Sequence, residues 1–147
     1  MLSHRSRAAL FFVLSTSTLA GGAVAGAAST TTLHATMSAK NEVGDKGPAN
    51  AKGTFSATIK GGRLCYAMSF SGLTQPIAAH IHKGTSTQNG NIKLDLLPKF
   101  KHSKASGCLA IKASLVRAIK KNPKGYYVNV HTQKFQLGAI RGQLSIG

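Results

Sequence analysis

Acidic side chains are nearly missing from this sequence. Glu42, Asp45 and Asp95 are the only three in 147 residues. The paired carboxylates of glycoside hydrolysis and the acid of a Ser–His–acid triad therefore have no obvious source. Cysteine is as scarce, with Cys65 and Cys108 alone, and the absence of a Cys-x-x-Cys spacing removes support for redox catalysis. There is no Gly-x-Gly-x-x-Gly fingerprint and no internal repeat. Aromatic residues make up 6% of the chain and are not interleaved with the scattered lysines, so nothing resembles a nucleic-acid module.

What is present is a chain with enough apolar content, 42%, to build one core and too short to build two. Arg5 and Arg7 followed by the apolar run 8–14 and by small residues up to Ala25, Gly26, Ala27 and Ala28 form a secretory signal pattern. Ser15, Thr16, Ser17 and Thr18, with glycine and alanine around position 22, make the same stretch a poor membrane span. The expected organisation is a signal over 1–28 and one exported domain over 29–147, monomeric and without a transmembrane span. Without Arg5 and Arg7, 17 basic residues face three acids, a balance of +14. That charge favours anionic partners such as polysaccharides or other cell-surface polymers. An even cysteine count in an exported chain suggests a Cys65–Cys108 disulfide.

Strict alternation marks the strands. Tyr126, Val128 and Val130 share one face of a strand, and Tyr127, Asn129 and His131 the other. Residues 139–146 alternate again after a turn at 133–138. Leu64, Tyr66, Met68 and Phe70 give a third strand an apolar face, and Gly61-Gly62 before it is a hairpin signal toward a strand over 53–59. Further strands are expected at 33–38, 77–83, 91–97 (with Ile92, Leu94 and Leu96 on one side) and 108–111. Residues 98–107 read as a basic loop carrying Lys99, Lys101, His102 and Lys104. One helix is expected over 113–121, with Ser114 as its cap and Leu115, Val116 and Ile119 as its apolar stripe. About eight short strands with one short helix predict an all-β fold, an antiparallel Greek-key β-sandwich or flattened barrel. The predicted core is Phe55, Ile59, Leu64, Tyr66, Met68, Phe70, Ile81, Leu94, Leu96, Val128, Val130, Ile140 and Leu144.

Four stretches, in matching order and spacing, resemble the chordin-type CHRD domain. They are Met37-Ser38-Ala39-Lys40-Asn41-Glu42-Val43; Leu64-Cys65-Tyr66 with Ser71-Gly72-Leu73; Ala78-Ala79-His80-Ile81-His82-Lys83-Gly84; and the stretch from Asn122-Pro123 through Tyr126-Tyr127-Val128-Asn129-Val130-His131-Thr132 to Gly138-Ala139-Ile140-Arg141-Gly142-Gln143-Leu144. The resemblance spans about residues 33–147. It implies an extracellular, immunoglobulin-like β-sandwich of the kind found in bacterial secreted proteins and animal chordins, and it carries over no enzymatic activity and no catalytic residue. Two departures, Gly44 in place of a proline and Gln136-Leu137 in place of Pro-Gly, fall in expected loops.

His80 and His82, two apart on a strand, project from one face, and His131 leaves the outer face of another. Converging, the three would suit copper or zinc; otherwise they form, with Asn129 and Tyr127, a hydrogen-bonded polar patch. The His80-x-His82-x-Gly84 stretch is similar to the copper strand of copper–zinc superoxide dismutases, but no residue matches the bridging histidine, the zinc aspartate or a fourth copper ligand. Dismutase activity is therefore not expected. Arg141, alternating with Ile140, falls on the polar face of the last strand, where it is a candidate anion contact. The expected function is a non-catalytic secreted binding or structural module, with extracellular copper or zinc binding through His80, His82 and His131 as the alternative.

Overall fold

A computed structural model describes residues 29–147, so the expected signal segment lies outside the described residues. Nine strands and one α-helix are found among these residues: β1 (Thr31–Ser38), β2 (Lys52–Lys60), β3 (Arg63–Ser71), β4 (Pro76–Lys83), β5 (Ile92–Asp95), β6 (Lys104–Ala110), α1 (Ala113–Lys121), β7 (Tyr126–Thr132), β8 (Ile140–Gln143) and β9 (Ser145–Ile146). All pairings are antiparallel, and eight strands follow one hydrogen-bonded path, β5-β4-β7-β8-β1-β2-β3-β6, with β9 added beside β1. The two halves of this path meet where Ser38 of β1 pairs with Arg141 of β8. Buried side chains from both halves merge into one apolar cluster, so the sheet curls around a shared core.

Local chemistry explains the elements. Lys60 pairs with Arg63 across Gly61 and Gly62, whose φ values of +56° and +75° are those of a tight hairpin turn that glycine adopts without strain. Leu64, Tyr66, Met68 and Phe70 are all 6% exposed or less, and each such burial stabilises by roughly 1.5–3 kcal/mol. On the opposite face Cys65 pairs with Cys108 of β6, and their sulfurs stand at bonding distance, 2.09 Å. The helix falls where the periodicity placed it, with Ile119 buried, and no helix among the described residues is long and apolar enough to cross a membrane.

Three local expectations are corrected. β6 starts at Lys104, inside the stretch read as a basic loop, because Ser69, Met68 and Ala67 offer it a strand edge to pair with. The helix is preceded by Lys112 at its N-cap with no side-chain cap bond, so Ser114 does not cap it. β5 is only four residues long, and a register shift between Ile81 and His82 sets Ile92 opposite His82 and Leu94 opposite Ile81. Ile92 is thereby turned outward, 51% exposed, while Leu96 is buried just beyond the strand end by its N–H bond to the Ala79 carbonyl. Of the predicted core, Leu94 alone is only half-buried; Leu33, Met37, Ile111 and Ile119 join the core in addition.

β7 lies between β4 and β8 in the sheet. All seven of its residues are buried, Val128 and Val130 in the core and Tyr127, Asn129 and His131 on the other face. That outer face is covered by the 84–91 loop. The loop folds down at Gly90, where any Cβ would collide with the Lys83 carbonyl, and the Gly90 N–H donates to the Tyr127 hydroxyl at 3.2 Å.

Candidate metal centre

Strand register builds a polar grid on the outer face of β4, β7 and β8. His82, Tyr127 and Gln143 form one cross-strand row; His80, Asn129 and Arg141 form the next; Ala78 and His131 form the third. His80 and His82 share a face because they are two apart on β4, and the β4–β7 pairing sets His131 diagonal to His80. The three imidazoles converge: one ring nitrogen from each lies within 4.8 Å of the others. Ring centroids are 4.7 Å apart for His80 and His131, 5.5 Å for His80 and His82, and 6.0 Å for His82 and His131.

Hydrogen bonds fix which nitrogen each ring offers. His131 Nδ1–H donates to the Gln136 carbonyl at 2.8 Å, and His82 Nδ1–H to the Gly90 carbonyl at 2.7 Å. These tautomers, assigned from the bonding network, leave Nε2 of both rings as an acceptor. His80 Nδ1 lies 2.9 Å from His131 Nε2 and donates to it, while His80 Nε2 stands 3.8 Å from Asp95 Oδ1. His82 Nε2 is buried and has no hydrogen-bond partner among the described residues, a state that costs about 1–3 kcal/mol unless something binds there.

Burial tunes the protons. It pulls all three histidines below the ordinary imidazole value, to about 4 for His131; Asp95 partly offsets the fall at His80, and the Gly90 and Gln136 carbonyls do so at His82 and His131. At neutral pH the cluster is three neutral imidazoles, the form that ligates metals. His82 and His131 each donate from the far nitrogen to a carbonyl, that of Gly90 or Gln136, the arrangement that orients ligating histidines, and His80 Nε2 faces Asp95 at 3.8 Å.

Arg141 is 1% exposed. Its guanidinium lies 3.5 Å from the Tyr127 ring centroid, and Tyr127 in turn stacks on His82 at 4.8 Å. It donates to the Thr85 carbonyl, the Gln88 carbonyl (3.0 Å), Asn89 Oδ1 (3.1 Å) and Gln143 Oε1 (3.2 Å from Nη2). Its donors thus pin the 84–90 loop over the histidines, and neutral oxygens occupy the places an anion contact would take. Glu42, 4% exposed, is the acid whose charge acts on Arg141. Desolvation raises its carboxyl to about 7 against the opposing pull of Arg141.

Sequence reasoning found the three histidines but not the groups that orient them. Asp95 sits inside an expected strand, yet the pairing of that strand with β4 that sets it opposite His80 leaves no sequence mark. The carbonyls of Gly90 and Gln136 belong to the backbone and are invisible in residue types. The histidines open into a cleft of roughly 440 Å³. Lys99, Lys101, His102 and Lys104 line a different cleft, of roughly 1030 Å³, which shares no residue with the first.

Comparison with known families gives one match: a model of the CHRD domain fits residues 33–144. No curated protein and no solved structure matches the chain.

Proposed function

The chain belongs to the CHRD domain family, and from that premise we propose a non-catalytic extracellular binding module whose ligand is a copper ion held by His80, His82 and His131. One observation carries the reading. Three imidazoles, two of them buried and His80 partly so, gather one nitrogen each within 4.8 Å, and the far nitrogen of each faces an oxygen. His82 Nε2 lacks a hydrogen bond of normal geometry among the described residues, with the Asn129 side chain beside it; a metal ion would satisfy it. A metal held at His80 Nδ1 would leave that ring's proton on Nε2, the nitrogen that faces Asp95 Oδ1 at 3.8 Å.

Copper is favoured over zinc on two grounds. Divalent copper heads the affinity order for nitrogen sites. In addition, two nitrogens 2.9 Å apart subtend about 90° at metal bonds of about 2.05 Å, the angle of tetragonal copper rather than tetrahedral zinc. Copper titration followed by electron paramagnetic resonance tests the assignment. Wild type should take up one ion with nitrogen splitting, and His80→Ala, His82→Ala and His131→Ala should each weaken binding at least about 100-fold, beyond what loss of an orienting group does. Equal, weak uptake by all four proteins would return the histidines to the status of a polar patch.

The same reading extends to the rest of the molecule. The shared core of the two sheet halves supports a Greek-key, immunoglobulin-like sandwich, and the cross-strand cysteine pair supports export to an oxidising compartment. The excess of 19 basic over three acidic residues and the lysine-lined second cleft support contact with an anionic surface polymer. Such binding should fall steeply between 0.1 and 1 M salt, as the Debye length drops from about 10 Å to about 3 Å.

A further inference from the structure

Exposed apolar side chains are not scattered at random over this surface. Among the described residues, five large hydrophobics are well exposed: Ile77, Ile92, Leu97, Leu137 and Ile146. Three of them, Ile77 (50%), Ile92 (51%) and Leu137 (71%), line the histidine cleft. Each comes from a different element: β4, β5, and the loop between β7 and β8. Ile92 faces this way because of the register shift opposite His82.

Three protein nitrogens leave a copper ion with at least one position for an outside ligand, the pattern of an open metal site rather than a closed structural one. That position faces a cleft whose volume of roughly 440 Å³ falls in the range of small-molecule pockets. A protein partner would need a contact of about 800 Å² on this face, far more than three side chains around a cleft provide. Resting on the copper reading, we infer that the histidine cleft binds a small ligand with one nitrogen or oxygen donor on an apolar, ring-sized body. The donor completes the metal's coordination, and the ring lies against Ile77, Ile92 and Leu137.

The test uses the copper-loaded full domain and two probes, imidazole and 4-phenylimidazole, titrated while the visible copper bands are recorded. Both present the same donor, and only the second carries an apolar ring. Wild type should bind 4-phenylimidazole at least about tenfold more tightly than imidazole, the effect of half-burying a phenyl ring. In the Ile92→Ser/Leu137→Ser double variant, which touches only exposed side chains, that advantage should fall below about threefold while imidazole affinity stays the same. Equal affinity of the two probes for wild type, or an advantage that survives in the double variant, would overturn the inference while leaving the copper site in place. A wild type that takes up no copper by elemental analysis would overturn the site itself and the inference with it.

Discussion

Replacing Glu42 by Gln should remove a pH dependence that the fold imposes on itself. Glu42 lies beside the 3₁₀ turn of residues 39–41, 4% exposed, with Oε1 lacking a hydrogen-bond partner among the described residues. Desolvation raises its carboxyl from 4.5 to about 7, and the attraction of Arg141 only partly opposes this. A carboxyl that holds its proton more tightly folded than unfolded stabilises the fold below pH 4.5, and that advantage is lost as pH climbs through about 7. At 1.36 kcal/mol per pH unit the gap is worth about 3 kcal/mol, an order-of-magnitude figure and a large part of a domain's stability. His131 acts in the opposite sense. Its value, lowered from 6.5 to about 4, contributes stability above pH 6.5 that is lost as pH falls through about 4. Urea unfolding of wild type and Glu42→Gln from pH 4 to pH 9 isolates the carboxyl, because His131 is common to both. The Gln variant should match wild type near pH 4.5 and exceed it by about 3 kcal/mol at pH 9. A stability difference that stays flat across this range would refute the argument that Glu42 is forced to hold its proton.

Val130, fully buried on β7, should not tolerate charge: Val130→Asp is expected to lose several kcal/mol and unfold at room temperature, read by circular dichroism. Arg141→Gln should cost about 1–3 kcal/mol for each carbonyl left without a partner, because those of Thr85 and Gln88 lose their donor. Amide exchange across residues 84–90 should also speed up, and unchanged exchange there would show that Arg141 does not pin the loop. Reducing the Cys65–Cys108 bridge, which spans 43 positions, should add about two daltons by mass spectrometry and lower stability by roughly 4 kcal/mol.

Much of this architecture was legible in the residue pattern. The apolar face of β3, the Gly61-Gly62 turn and the limits of α1 follow from periods of two and 3.6 and from glycine's freedom at positive φ. The placement of His80, His82 and His131 on outer strand faces was legible too, since it needs only alternation. Their convergence was not. It depends on β4 pairing with β7 in one register, and strand partners far apart in sequence are chosen by the closing of the whole sheet. β5 shows the limit most clearly, since a single register shift moved Ile92 from the expected apolar side to the rim of the histidine cleft. Arg141 had every sequence sign of a solvated strand residue and is among the most buried side chains, because a loop from residues 84–90 closes over it. Outer-face residues are hidden or exposed by what folds across them, which strand alternation does not encode.

The central claim is that three histidines hold one copper ion, and its most direct test is elemental analysis. Protein without a histidine tag should be equilibrated with equimolar copper and zinc at pH 7, passed over a desalting column and assayed for both metals. Wild type should carry about one copper per chain and little zinc, in keeping with the affinity order for nitrogen ligands, with the copper lost in His82→Ala. Wild type that emerges free of both metals, or that carries zinc in preference to copper, would contradict it.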